Sequence, residues 1–170
     1  MTTILFYIGV AVFISYLIFI LRKIGIKRLP SLSHSYYELG KQGWMFQLTL
    51  ISVVFLLMPQ LLELTPESFQ FVAFLTAAPI MFVGVAANFM DGGMAKKVHY
   101  TAAYLSAGLS LLLVILLAIF VNWVVILTVP IAGVVFYLFF KKYGQLTFFM
   151  EMAAFSWLIG SALILLQILK

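Results

Sequence analysis

The sequence predicts an all-α integral membrane bundle of six transmembrane helices, with both termini outside. Three observations predict this fold: 65% of the 170 residues are hydrophobic, only 9% are charged, and nine of the ten basic residues are confined to alternate connections. Soluble domains carry about a quarter charged residues, so the composition excludes that class. Six spans of about 20 residues use most of the chain, and we therefore expect one domain over residues 1–170.

Nine of the ten basic residues form three groups, one in each odd-numbered connection. The groups are Arg22, Lys23, Lys27, Arg28 and Lys41, then Lys96 and Lys97, then Lys141 and Lys142. Short cytoplasmic loops carry an excess of Lys and Arg, so these connections are predicted to lie in the cytoplasm. The expected location is the cell inner membrane. Because the basic groups then face anionic lipid headgroups, no nucleic-acid partner is expected.

Polar or turn-forming segments separate the first three predicted spans. These spans cover about residues 4–21, 44–62 and 68–89. The first connection is the longest non-apolar segment, and Pro30 within it argues against a continuation of the first helix. Trp44 is an interfacial anchor at the start of the second span. Thr65 and Pro66 have the residue types of an N-cap and a first helical position before the third span.

The last three predicted spans lie in an almost uninterrupted apolar region. They cover about residues 100–121, 124–140 and 145–169. One helix from Tyr100 to Phe140 would be about 60 Å long, twice the thickness of the hydrocarbon layer, so the chain must turn back. Asn122 and Trp123 are the residues at which this turn is expected. Small residues that permit close helix packing repeat along the fourth span, at Ala102, Ala103, Ser106, Ala107 and Ser110.

Glu151 is the first candidate site residue, because an ionisable group inside a span is costly and suggests a function. It lies about 9 Å into the sixth predicted helix, among phenylalanine and methionine neighbours. The alternative interpretation is a carboxylate near the interface that is neutral or paired with a cytoplasmic lysine. His99, at the start of the fourth predicted helix, could carry protons or bind a substrate near neutral pH. Its alternative role is an ordinary structural hydrogen bond.

Topology places further polar side chains at the same level of the membrane as these two. The predicted ligand-binding set is Glu151, His99, Asp91, Asn88, His34, Tyr37 and Tyr104. Because the outer half of the predicted bundle is nearly free of ionisable groups, a pocket is expected to open towards the cytoplasm. The leading hypothesis is that this pocket binds or transports a lipid or small molecule, with membrane lipids as surroundings.

Two other functions stay open at the level of sequence. The small size and the absence of room for a soluble domain also suit an accessory subunit that contacts a membrane-protein partner. An intramembrane hydrolase would use His99 with Asp91 or Glu151, and no catalytic residue is predicted beyond that alternative. No cofactor or metal is expected, because the chain has no cysteine, only two histidines, and no ligand spacing typical of a zinc site.

The first connection also carries a resemblance. The segment from Leu32 to Gly40 resembles the Ser-Asp-Leu-Gly segment after the first helix of six-span prokaryotic membrane proteins catalogued as domain of unknown function 998. His99 before the fourth span, and Gly144 ahead of Trp157 in the sixth, are similar too. Glu38 stands where that family tends to have Asp. The resemblance implies a six-span architecture and implies no activity.

Overall fold

A computed structural model describes residues 1–169, and its regular structure is helical throughout, with no strand in that range. Six long helices can span a membrane by their length and composition. They are α1 (Thr2–Lys23), α3 (Trp44–Leu64), α4 (Gln70–Val85), α5 (Gly93–Phe120), α6 (Thr128–Tyr143) and α7 (Leu146–Ile168), and α2 is the short helix Ser35–Glu38. The prediction of an all-α six-helix bundle is therefore confirmed. The side on which the termini lie stays a prediction.

The first four spanning helices pack in chain order, and the last two are arranged differently. Helix α1 packs against α3, α3 against α4, and α4 against α5. Helix α7 then packs against both α5 and α6. Helix α6 is peripheral, because within it only Thr128 and Ala132 are buried. Helix α7 therefore joins α6 to the bundle and leaves a gap between α5 and α6.

The core consists mainly of large apolar side chains from α1, α3, α5 and α7, with further members from α4 and from residues 24–43. Its most completely buried members are Phe6, Ile20, Phe46, Leu50, Val53, Leu113, Val114 and Leu165. Lipid tails are as apolar as these side chains, so close van der Waals packing, more than removal from water, holds such helices together.

The connection between the third and fourth spans is shorter than the predicted span bounds imply. Helix α4 ends at Val85 instead of near residue 89, and α5 begins at Gly93 instead of near residue 100. Gly92 and Gly93 have φ angles of 85° and 61°, a conformation that glycine adopts readily, and the chain reverses there. His99 therefore lies almost two turns inside α5 and does not open it.

Two expectations about turns have opposite outcomes. The turn predicted at Asn122 is confirmed, because its Oδ1 accepts a hydrogen bond of 3.0 Å from the Val124 N–H, and a 3₁₀ segment (Trp123–Leu127) leads into α6. The prediction that Thr65 caps the third span is wrong. Its hydroxyl instead donates to the Leu61 carbonyl at 2.7 Å, which closes the end of α3.

Residues 24–43, between α1 and α3, fold into a plug over one end of the bundle. Its most deeply buried residues are Leu29, Leu32, Ser33, Ser35 and Leu39. The other two basic connections meet the plug: Gln145 Nε2 donates to the Lys27 carbonyl at 2.8 Å, and the Met90 N–H donates to the Tyr37 hydroxyl at 2.7 Å. All three basic connections therefore lie at the same end of the bundle, as the sequence pattern requires.

Candidate ligand-binding site

A large cavity of about 710 Å³ lies between α5, α6 and α7, and the plug closes one end of it. Its lining comprises Pro30, Ser31, Ser33, His34, Phe89, Met90, His99, Tyr100, Ala103, Tyr104, Ala107, Gly133, Phe136, Tyr137, Phe140, Leu146, Thr147, Phe149, Met150, Glu151, Ala153, Ala154 and Trp157. This volume is typical of the clefts that bind small organic ligands. We refer to it as the α5–α7 cavity.

Small residues on the facing helices create the space. Ala103 and Ala107 on α5, Gly133 on α6, and Ala153 and Ala154 on α7 all line the α5–α7 cavity. A side-chain atom added at Gly133 would meet no other atom within 4 Å. The small-residue face of α5 therefore has two roles. Part of it packs tightly, as the sequence predicts, and part of it borders empty space.

The Glu151 side chain connects α7 to the plug. Its Oε2 accepts a hydrogen bond of 2.5 Å from the backbone N–H of Leu32. One turn earlier in the chain, the Phe148 N–H donates to the Pro30 carbonyl at 3.0 Å. Together these bonds fix the carboxylate at the plugged end of the α5–α7 cavity, where it is half-buried. Among residues 1–169 Glu151 forms no ion pair with a lysine, and its partner is a backbone N–H instead.

His99 is buried and held by contacts on both ring nitrogens. Its Nδ1 lies 3.2 Å from the carbonyl oxygens of both Val83 and Ala86, at the end of α4. Two carbonyl acceptors require Nδ1 to carry a proton and donate, so Nε2 can accept from the Ser33 hydroxyl, 3.1 Å away. The Phe89 ring stacks on the imidazole with a centroid distance of 4.2 Å. The ring orientation and the tautomer are thus fixed by the protein itself.

Ser33 is the functional-site residue that the sequence analysis missed. It is buried in the plug, bonds to His99, and borders both the α5–α7 cavity and a smaller one. A serine in a polar connection has no sequence signal of its own. Only the folded plug, which turns the segment after Pro30 back into the bundle, reveals its position.

Two more predicted residues lie along the α5–α7 cavity. Tyr104 is 73% exposed and forms part of its wall on α5. His34 is half-buried at its plugged end, with Nε2 3.9 Å from Glu38 Oε1. The structure therefore brings together four predicted residues, namely Glu151, His99, His34 and Tyr104.

The other three predicted residues lie outside the α5–α7 cavity. Asn88 and Asp91 are exposed in the turn between α4 and α5. Tyr37 lies in α2, where its ring meets Phe89 edge-on with a centroid distance of 5.6 Å. Partial burial raises the pKa of the Tyr37 phenol above its ordinary value, so this group stays neutral near pH 7. Tyr37 supports the base of the site without facing the cavity.

The smaller cavity, of about 70 Å³, lies in the core of the bundle. It is lined by Leu32, Ser33, Phe46, Leu50, Ile80, Val83, Ala103, Ser106, Ala107, Ser110, Glu151, Ala154, Phe155 and Leu158. Glu151 borders both cavities and thus stands between the core and the peripheral space. Nearby, the Ser106 hydroxyl donates to the Thr76 carbonyl at 2.9 Å and joins α5 to α4.

Trp157 marks the far part of the α5–α7 cavity. It lies six residues after Glu151, which is about 9 Å along α7. Its indole Nε1 is buried and has no hydrogen-bond partner among residues 1–169. Buried polar groups normally have a partner, so this N–H is available to an acceptor on a bound molecule.

Metal binding has no support in this geometry. Among residues 1–169, no three His, Asp or Glu side chains cluster closely enough to hold a metal ion. Within the same residues, the hydrogen-bond partners of His99 include neither Asp91 nor Glu151. The polar groups that the site offers are the carboxyl group of Glu151, the imidazoles of His34 and His99, and the hydroxyls of Ser31 and Ser33.

Comparison with known proteins gives no independent assignment. No protein-family model, curated protein or solved structure matches this chain. The resemblance of the plug segment to six-span proteins of unknown function therefore stays a prediction, and the function must be argued from the cavity and its contacts.

Proposed function

We propose that this integral membrane protein binds or transports a lipid or another amphiphilic small molecule in the α5–α7 cavity. The observation that carries the proposal is a cavity of about 710 Å³ with largely apolar walls and a polar end. The polar end presents Ser33, His34 and Glu151. A molecule with an apolar chain and a polar group complements both parts of this space.

The position of the cavity also favours a ligand that comes from the bilayer. Helix α6, which forms one wall, is the least buried spanning helix, and the gap beside α5 lies at the periphery of the bundle. The polar end lies where the basic connections meet. The excess of Lys and Arg in those connections supports a cytoplasmic location for that end.

A pair of glycine substitutions tests the proposal. In Gly133→Phe the new ring enters the α5–α7 cavity, whereas Gly108→Phe adds the same ring to an α5 position outside the cavity lining, and neither glycine has a close neighbour. We expect native mass spectrometry of gently extracted protein to show a bound amphiphile in wild type and Gly108→Phe. Gly133→Phe is expected to lose it.

Equal occupancy in both variants would contradict the proposal. A bound polypeptide without any small molecule would instead favour an accessory subunit of a larger membrane complex. The two glycine variants are matched because both replace an exposed helical glycine in a spanning segment.

One observation favours hydrolysis as a second candidate function. The Ser33 hydroxyl lies 3.1 Å from His99 Nε2, and Nδ1 is fixed by two carbonyls, so His99 is oriented to accept the serine proton. An alkyl fluorophosphonate is expected to label wild type and Ser31→Ala but not Ser33→Ala. Absence of labelling in wild type would contradict the hydrolysis hypothesis without affecting the proposal that the cavity binds an amphiphile.

A further inference from the structure

The α5–α7 cavity has an unbalanced set of ionisable side chains. Its described lining contains one carboxylate, that of Glu151, and no lysine or arginine. Among residues 1–169, no basic side chain forms an ion pair with Glu151, and its bond to Leu32 comes from a neutral backbone N–H. An anionic headgroup placed there would meet a carboxylate and no fixed positive charge.

The two histidines do not change this balance. His99 Nδ1 faces two carbonyls and its Nε2 faces the Ser33 hydroxyl, a set of contacts that a neutral ring satisfies. His34 lies next to Glu38 at the plugged end, with 3.9 Å between Nε2 and Oε1. Glu38 also pairs with Arg28 at 2.5 Å and lies outside the cavity lining, so Glu151 is the acid that determines the charge of the cavity.

The walls of the α5–α7 cavity are rich in aromatic rings. They are Phe89, Tyr100, Tyr104, Phe136, Tyr137, Phe140, Phe149 and Trp157. Ring faces attract ammonium groups through their quadrupole, and the attraction grows where water is excluded. Aromatic faces and one carboxylate without a cationic partner are complementary to a positive charge carried on an apolar body.

We propose that the α5–α7 cavity is selective for a protonated or quaternary amine attached to an apolar chain, with Glu151 as its counter-ion. The inference deepens the proposed function and rests on it. The amine has two possible sources, a free alkylamine or the headgroup of an amine-bearing lipid such as phosphatidylethanolamine. Both present the same cationic group to Glu151.

The chain provides a reporter for this selectivity. Trp44 and Trp123 are 55% and 67% exposed, so Trp44→Phe and Trp123→Phe should be tolerated and leave Trp157 as the single tryptophan. Bromine quenches tryptophan fluorescence at short range. Three probes of equal chain length are compared, namely 11-bromoundecyltrimethylammonium, 11-bromoundecanol and 11-bromoundecanoate.

We expect the ammonium probe to quench Trp157 at about tenfold lower concentration than the alcohol, and the carboxylate probe to be weakest. Glu151→Gln should remove the tenfold preference of the ammonium probe over the alcohol, and a circular dichroism spectrum equal to that of wild type shows that the variant is folded. The matched control Glu67→Gln alters an exposed acid in the turn before α4 and should keep the preference.

Each other outcome has a defined meaning. Equal quenching by all three probes, or a preference that persists in Glu151→Gln, would overturn the inference while the proposed binding function survives. If no probe quenches Trp157, the binding function fails as well. Phosphatidylethanolamine and phosphatidylglycerol with the same brominated chains distinguish the two sources of the amine. Quenching by the former and not by the latter would identify a lipid headgroup, whereas quenching by the ammonium probe alone would identify a free amine.

Discussion

The α1–α3 interface and the α5–α6 gap contain similar apolar residues but pack in opposite ways. On α1, buried residues recur at helical spacing at Phe6, Gly9, Phe13, Tyr16 and Ile20. A side-chain atom added at Gly9 would approach the Leu56 Cβ to 2.9 Å, so the two helices touch there. On α6, by contrast, Gly133 borders open space. Hydropathy alone cannot distinguish an interface from a binding cavity.

The largest difference in stability between the two regions is expected when a large side chain is removed from each. Phe6→Ala leaves a cavity in place of a completely buried ring and is expected to cost about 3–5 kcal/mol of unfolding free energy. Phe136→Ala, in the cavity wall, should cost well under half as much because that ring has space on one side. Titration with a denaturing detergent, followed by circular dichroism, measures both, and equal losses would contradict the comparison.

Loss of the buried imidazole should have the next largest effect. In His99→Ala, Ser33 and the carbonyls at the end of α4 lose their partner, at an expected cost of about 2 kcal/mol. His34→Ala removes a half-buried ring whose side chain has no short polar contact within residues 1–169, and should cost about 0.5 kcal/mol or less. The same detergent titration measures both losses of unfolding free energy. A larger loss in His34→Ala than in His99→Ala would show that His34 contributes more to the stability of the plug.

Adding one methyl group at a glycine should change the stability in opposite directions in the two regions. Gly9→Ala forces the methyl against Leu56 and Leu57 and should destabilise the protein by about 1–3 kcal/mol. Gly133→Ala adds the same methyl to open space and improves helix propensity, so a gain of up to about 1 kcal/mol is expected. Thermal unfolding in one detergent suffices for this pair. A loss at both positions would show that α5 and α6 are closer in solution.

The smallest effect is expected at the surface of the plug. Arg28 pairs with Glu38 at 2.5 Å, but the arginine side chain is 71% exposed. Exposed ion pairs contribute little, so Arg28→Ala should change the unfolding free energy by about 0.5 kcal/mol or less. A larger change, still present in 0.5 M salt, would mean that the plug is held mainly by charge and not by its buried leucines.

The fold was largely predictable from the sequence, and the site only partly. Apolar runs and basic connections are properties of the chain itself, so the six spans and the turn at Asn122 could be derived. The position of His99 within α5 could not, because the helix begins at Gly93 and includes Lys96 and Lys97, which the charge pattern assigns to the connection. The role of Ser33 depends on contacts between residues 66 positions apart. The sequence groups Asn88 and Asp91 with the site because it indicates the level of a residue in the membrane. It does not indicate in which direction around the bundle the side chain points.

The contacts between the plug and α7 have a consequence for the order in which the protein is built. The Leu32 amide and the Pro30 carbonyl are synthesised after the first span, but their partners, Glu151 and the Phe148 amide, belong to the sixth. Until that helix is inserted, both backbone groups near the N-terminal helix lack these partners. The plug can therefore form all of these hydrogen bonds only after the sixth span has been inserted. A chain that stops before α7 should expose this end of the bundle to proteases.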